Sequence, residues 1–139
     1  MNILFYLTPK CDCAYLEESD SLRQALEKLE ARRYTTIPLL SNNGSYIGTV
    51  SEGDLLWSIK NRFDLDLRKA EHVRITDIER RRDYMPISIN SKMEDLIDLA
   101  LKQNFVPVAD DNGSFIGIVT RQEIIKYFYN LTKKEDAIS

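Results

Sequence analysis

The feature that most constrains the fold of this chain is an internal repeat. Residues 37–39 (Ile-Pro-Leu) return as 106–108 (Val-Pro-Val), and the segment 43–51 returns as 112–120. Both matches have the same offset of 69 residues, in a chain of 139. Two copies of this length are small for independent domains, so we expect two similar halves that share an interface.

Each copy predicts the same order of elements: a short strand, a helix, a strand, a tight turn, a strand and a second helix. Leu22, Leu26 and Leu29 have the spacing of an amphipathic helix, and residues 93–101 repeat it. Capping boxes are predicted at 21–24 and 91–94. The other predicted elements are strands 35–40, 46–50, 105–109 and 115–119, Asn-Gly turns between them, and second helices that begin at Ser51 and Thr120.

These elements predict the α/β (α+β) class, with two pseudo-symmetric repeats that each pack a short sheet against two helices. The predicted halves are 1–69, with an N-terminal lead-in helix, and 70–139, with a charged connector and a C-terminal tail. The connector, 60–84, includes the basic run 80–82, which we interpret as solvated. The tail from Lys133 is expected to fray.

Composition argues against several classes of function. The net charge is −3, which disfavours general binding to nucleic acid or anionic membranes. The chain has one histidine, His72, and it lies in a polar stretch, so triads, dyads and zinc hydrolase sites lack support. Cys11 and Cys13 cannot form a disulfide framework. No export signal or membrane span is evident, so we expect a cytoplasmic protein that is not an enzyme.

The two strand-to-helix junctions carry the polar groups most suited to a ligand. Gly48 would let a ligand approach the backbone, and Ser51 and Thr120 stand at helix starts that attract phosphate. Asp54 could accept both hydroxyls of a ribose, and Arg121 adds a contact to phosphate. These groups suit an adenine nucleotide. The same spacings also arise simply as helix caps, which leaves a structural role open.

Taken in order, and twice at one offset, these motifs resemble a tandem pair of CBS domains, the nucleotide-sensing repeats named after cystathionine β-synthase. The resemblance rests on Thr8-Pro9-Lys10, on the strand segments 34–39 and 105–108, and on the junctions 48–54 and 117–123. It implies that the repeats pack sheet to sheet, with ligand sites in the clefts between them. One departure from the family pattern is Glu123, where the first copy keeps the family's Asp.

Carried over by position, the resemblance implies two pockets that each combine both copies. The first, which we rank higher for occupancy because of its extra hydroxyls, would contain Thr120, Arg121, Glu123, Ala14, Tyr15, Thr35, Thr36, Ile37 and Pro38. The second would contain Gly48, Ser51, Asp54, Ile87, Ser88, Phe105, Val106 and Pro107.

The predicted function is a regulatory sensor that binds an adenine nucleotide (AMP, ADP or ATP) and signals to a protein effector. S-adenosylmethionine and cyclic di-AMP remain alternatives, the latter because 34–38 and 120–122 resemble segments of small bacterial receptors. Those receptors have a second Arg where this chain has Gln122. A ligand-free interaction module is the rival class. The family implies a homodimer through apolar helix positions, here Leu56, Ile59, Ile125 and Phe128.

Overall fold

The computed structural model describes residues 2–62 and 67–138. Short strands alternate with helices along these residues, as the repeat predicts. The elements are β1 (Thr8–Pro9), β2 (Leu16–Glu17), α1 (Leu22–Arg32), β3 (Thr36–Leu40), β4 (Tyr46–Ser51), α2 (Glu52–Arg62), α3 (Leu67–Ala70), β5 (Ile87–Ser88), α4 (Ile97–Ala100), β6 (Phe105–Ala109), β7 (Phe115–Thr120) and α5 (Arg121–Ile138).

The chain divides into two compact units. The first unit is Ala14–Tyr84, and the second unit joins Met1–Cys13 to Met85–Ser139. These units differ from the predicted halves 1–69 and 70–139 because each repeat takes in the segment that precedes the other. Ile3 is fully buried in the core of the second unit, and Ile75 from the connector is fully buried in the core of the first.

The two units contain the same hairpin. In the first unit β3 pairs antiparallel with β4 and parallel with β2, and in the second β6 pairs in the same way with β7 and β5. Thr36 faces Ser51, and Phe105 faces Thr120, so the register of one hairpin is that of the other displaced by 69 residues. The second sheet has one further strand, because β1 pairs antiparallel with β7.

The apolar faces of the helices cover these sheets. In the first unit the core combines Leu22, Ala25 and Leu29 of α1 with Ile37 and Val50 of the hairpin. The second unit buries the corresponding face of 93–100 together with Ile124 and Tyr127 of α5. The helical spacing read from the sequence identifies the packed positions of α1, but at 93–101 it also includes Ile97 and Leu101, which are 46% and 78% exposed.

The helix ends confirm one sequence prediction and correct others. Ser21 and Gln24 form the predicted capping box. The box predicted at 91–94 is wrong, because the Lys92 N–H donates to the Asp95 carboxylate and a 3₁₀ turn, Met93–Leu96, opens this segment. The lead-in segment is also a 3₁₀ turn, Ile3–Tyr6, and α5 continues through Ile138 where a frayed tail was expected.

None of the helices in the described ranges is both long enough and apolar enough to cross a membrane.

Leu56 and Ile125 are exposed on α2 and α5, whereas Leu55 and Ile124 beside them are buried.

Candidate functional site

The start of α2 is the first of the two junctions singled out by the sequence. The Ser51 hydroxyl accepts a hydrogen bond from the Asp54 N–H at 3.1 Å, and the Asp54 carboxylate accepts one from the Ser51 N–H at 3.0 Å. This reciprocal pair is a complete cap, which satisfies two backbone donors at the helix start. Asp54 is only 3% exposed, so the structure gives its carboxylate a capping role.

The connector approaches this same junction. The second carboxylate oxygen of Asp54 accepts the Arg81 N–H at 3.1 Å. Asp83 lies directly against Gly48, where a Cβ would overlap its carboxylate, and it accepts the Thr49 N–H at 3.0 Å. The close approach that requires glycine at position 48 is thus made by the chain itself.

The start of α5 is the corresponding junction in the second unit. The Thr120 hydroxyl accepts the Glu123 N–H at 3.3 Å, and Thr120 remains partly exposed. Glu123 is also partly exposed, unlike the buried Asp54. Among the described residues, no hydrogen bond or ion pair engages its carboxylate. This junction has a cap from Thr120 but leaves polar atoms accessible.

Arg121 has a structural contact that the sequence did not predict. Its Nε donates to the Ala100 carbonyl at 2.7 Å, at the C-terminal end of α4, and its backbone N–H donates to the Asn104 carbonyl. A positively charged donor at the C-terminal end of a helix interacts favourably with the helix dipole and with the last backbone carbonyls. Its predicted contact with phosphate remains a prediction.

The strand edge at 36–38 lies beside the α2 junction. Strand β2 pairs only with Leu39 and Leu40, so in the described part of the chain no strand pairs with Thr36, Ile37 and Pro38 on that edge. Thr35 is exposed and Thr36 partly exposed, whereas Ile37 and Pro38 are buried.

The other predicted site residues range from buried to exposed. Ala14 and Tyr15 are partly buried, and Lys28 donates to the Tyr15 carbonyl at 3.0 Å. In the second unit, Phe105, Val106 and Pro107 are buried, Ile87 is partly buried and Ser88 is exposed. The predicted pockets join residues from different units, and that grouping remains a prediction.

Sequence reasoning missed the polar residues that hold the connector. Asp83, Thr49 and Tyr84 form a hydrogen-bonded group, since Tyr84 N–H donates to Thr49 Oγ1 at 3.0 Å. Gln103, which is 1% exposed, likewise accepts the Met85 N–H at 2.8 Å. The pairing Arg80-x-x-Asp83 was the available signal, because three residues separate opposite charges in a short loop.

The remaining titratable candidates lie outside these junctions. His72 is exposed, and Cys11 and Cys13 are free thiols. Burial raises the pKa of Cys13 to about 11, and its thiol donates to the Thr8 and Pro9 carbonyls. A thiol with this pKa stays protonated at neutral pH and is a poor nucleophile. The described residues include no cluster of three or more metal-ligating side chains.

Two hairpin-and-helix units at one offset, each with a hydroxyl that caps the start of its second helix, define a tandem-repeat protein. The chain belongs to the CBS domain family, whose model matches residues 7–61 and 75–130.

Comparison with known proteins agrees with this family. The chain is 24% identical over 145 residues to the chloroplastic CBS domain-containing protein CBSX2 of Arabidopsis thaliana, with 87% of this chain covered. It spans about three fifths of the length of the two chloroplastic relatives it matches, 60% of CBSX2 and 65% of CBSX1.

Two solved structures extend the comparison. The structure of CbpB in complex with c-di-AMP matches with a TM-score of 0.85 and 20% identity, covering 100% of this chain and 91% of that one. The structure of CBSX2 in complex with AMP matches with a TM-score of 0.73 and 25% identity, covering 94% and 98%. The fold is therefore shared with both proteins.

Proposed function

We propose that this chain is a regulatory module that binds an adenine nucleotide at the start of α5 and passes its bound state to a protein partner. The observation that carries this proposal is the accessible junction of Thr120 and Glu123 in a CBS-family chain. The hydroxyl of Thr120 can donate to a phosphate oxygen while it still accepts the Glu123 N–H. The Glu123 carboxylate is available to accept ribose hydroxyls.

The ligands in two related structures, together with the hydroxyl and acidic groups at the α5 junction, support a ligand that contains adenosine. CBSX2 has been solved in complex with AMP, and CbpB in complex with c-di-AMP, so both ligands contain the adenosine unit that these groups suit. We propose AMP, ADP or ATP as the main class, with cyclic di-AMP as the alternative.

Thr120→Ala is expected to weaken nucleotide binding by about tenfold or more, the factor that corresponds to one lost hydrogen bond. Titration calorimetry with AMP, ADP, ATP, S-adenosylmethionine and cyclic di-AMP measures this directly. Ser51→Ala is the matched control, because it removes the equivalent cap in the first unit. Both variants should lose about 1 kcal/mol of stability as lost helix caps, but only Thr120→Ala should lose affinity.

The titration also decides between a sensor and a ligand-free interaction module. If none of the five compounds binds the unmodified protein at millimolar concentration, the sensor function is wrong. If Ser51→Ala and Thr120→Ala weaken binding equally, the assignment of the ligand to the α5 junction is wrong. Turnover of a bound nucleotide would instead reveal an enzyme.

We also propose a homodimer, because apolar side chains are exposed on the helices of both units. In the second unit Leu101 is 78% exposed and Ile125 59% exposed beside a groove of about 560 Å³. In the first unit Leu56 is 56% exposed beside a groove of about 430 Å³. A second copy would present the same faces and could cover them by twofold symmetry.

Ile125→Glu is expected to convert the dimer to a monomer at micromolar concentration, since it places a charge in the apolar contact. Analytical ultracentrifugation measures the change in mass. Asn130→Asp adds the same charge to another exposed position of α5 and should leave the dimer intact. A wild-type monomer, or equal masses for both variants, would contradict the proposed interface.

A further inference from the structure

The connector loop, residues 80–84, contacts strand β4 and the start of α2 through hydrogen bonds within the first unit. The Arg81 N–H donates to Asp54, the Thr49 N–H donates to Asp83, and the Tyr84 N–H donates to the Thr49 hydroxyl. The Tyr46 hydroxyl also donates to the Tyr84 carbonyl. These contacts come from residues 27 to 38 positions apart in the sequence, so they form only when the connector folds back on the hairpin.

The connector loop occupies the polar groups that a nucleotide would contact at the first repeat. Both oxygens of the Asp54 carboxylate accept backbone N–H groups, one from Ser51 and one from Arg81. With 3% of its surface exposed, Asp54 cannot reach ribose hydroxyls unless Arg81 moves. The Asp83 carboxylate lies at Gly48, where the close approach of a ligand to the backbone was predicted.

The second repeat provides an internal comparison. Its glycine, Gly117, is also covered by the chain, by the backbone of Thr8 in β1. The position equivalent to Asp54 differs, because Glu123 is partly exposed and, among the described residues, no backbone N–H from a segment distant in sequence donates to its carboxylate. The two repeats thus share a fold but differ in whether their acidic residue is available.

From this difference we infer that the connector loop closes the first repeat's site, so that the protein binds one nucleotide per chain, at the α5 junction. This inference rests on the proposed function. It adds the number of nucleotides bound per chain and the residue that sets this number. Asp83 is the residue that holds the loop closed. Its carboxylate accepts hydrogen bonds from the Thr49 N–H and from Arg80, and it lies against Gly48. A ligand could enter the first site only by displacing the loop.

Electrostatics keep the loop closed at neutral pH. Partial burial raises the pKa of Asp83, but hydrogen bonds from Arg80 and Thr49 outweigh this effect and hold the pKa below its ordinary value. Arg80 Nε donates to Asp83 at 2.9 Å and a second guanidinium nitrogen at 3.3 Å. Because the pKa of Asp83 is lower in the folded protein than its ordinary value, the contact between Asp83 and Arg80 is fully present above the ordinary pKa. The contact is lost only as the pH falls through the lowered pKa.

Asp83→Ala tests the closure without a ligand. Amide hydrogen exchange at Thr49 and Arg81 is expected to accelerate about tenfold or more, as for the loss of one charge-assisted hydrogen bond. Trp57, the chain's single tryptophan, is a second reporter, because the Arg81 guanidinium lies 5.3 Å from its ring. In Asp83→Ala, acrylamide should quench the fluorescence of Trp57 more strongly. Asp83 is 39% exposed, so this variant should fold.

Titration of the same variants with AMP tests the stoichiometry. The unmodified protein should bind about one nucleotide per chain, and Asp83→Ala should bind a second, more weakly. Thr120→Ala should bind AMP at the α5 junction about tenfold or more weakly, whereas the Asp83→Ala, Thr120→Ala double variant should add the first-repeat site to this weakened one. Arg80→Ala should act in the same direction as Asp83→Ala but less strongly. Asp111→Ala, at an exposed turn of the second unit, controls for the lost charge.

The outcomes separate this inference from the proposed function. Two nucleotides per unmodified chain, or unchanged exchange and one nucleotide in Asp83→Ala, would overturn the closure while nucleotide binding stands. If neither AMP nor any of the other four compounds binds any variant, the proposed function is contradicted, and the exchange rates of Thr49 and Arg81 then decide the closure by themselves.

Discussion

Gly117→Ala is expected to reduce the free energy of unfolding by about 3 kcal/mol or more, the sum of backbone strain and overpacking. Gly117 has φ of 154°, a conformation that residues with a Cβ rarely adopt. A Cβ at this position would overlap the Thr8 carbonyl oxygen and contact the Leu7 side chain. Since Thr8 belongs to β1, relief of the overlap would separate β1 from β7. Urea unfolding followed by circular dichroism measures the loss.

Gly48→Ala is the matched control for this prediction. Gly48 occupies the equivalent position of the first repeat, but it lies outside the left-handed region, and its Cβ would meet the side chain of Asp83. A side chain can rotate away, whereas the backbone of Thr8 cannot, so Gly48→Ala should cost roughly 2 kcal/mol less. Equal losses of stability in the two variants would show that β1 does not constrain position 117.

Asp54→Ala is expected to cost about 3 kcal/mol, because it leaves the partly buried N–H groups of Ser51 and Arg81 without acceptors. Asp54→Asn should cost less, since the amide oxygen can still accept one of these hydrogen bonds. Urea unfolding again provides the measurement. The connector should also become more exposed to proteolysis in Asp54→Ala, because the Arg81 N–H is one of its attachments.

Glu123→Ala provides the corresponding control in the second unit. Glu123 is partly exposed, so its removal should change stability by less than about 0.5 kcal/mol, as for an ordinary surface substitution. A cost equal to that of Asp54→Ala would mean that the two acidic residues have the same structural role. The distinction drawn between the two junctions would then fail.

Local patterns account for the parts of the structure that the sequence predicted well. The register Phe105–Thr120 of the second hairpin repeats the register Thr36–Ser51 of the first at the offset of 69 residues found in the sequence. The turn glycines Gly44 and Gly113 have φ of 89° and 80°, as expected for these turns. The capping box at 21–24 also formed as predicted.

Contacts distant in sequence account for the parts that were predicted poorly. The basic run 80–82 was expected to be solvated, and Arg81 and Arg82 are exposed, but Ile75 and Ile78 of the connector are buried in the first unit and Asp83 pairs with Arg80. The box predicted at 91–94 moved by one residue because Met93 and Leu96 are both fully buried, and this sets where the turn begins. Spacing alone identifies apolar positions but not the surface that they pack against.

The candidate site shows the same division. Sequence alone identified Ser51, Asp54 and Thr120 as hydroxyl and acidic groups at helix starts, because helix caps and phosphate sites require the same local spacing. Only the tertiary structure distinguished the two junctions, by placing Arg81 and Asp83 on the first. The physical reason is that a carboxylate's availability depends on which donors fold back to reach it, and those donors come from a distant segment.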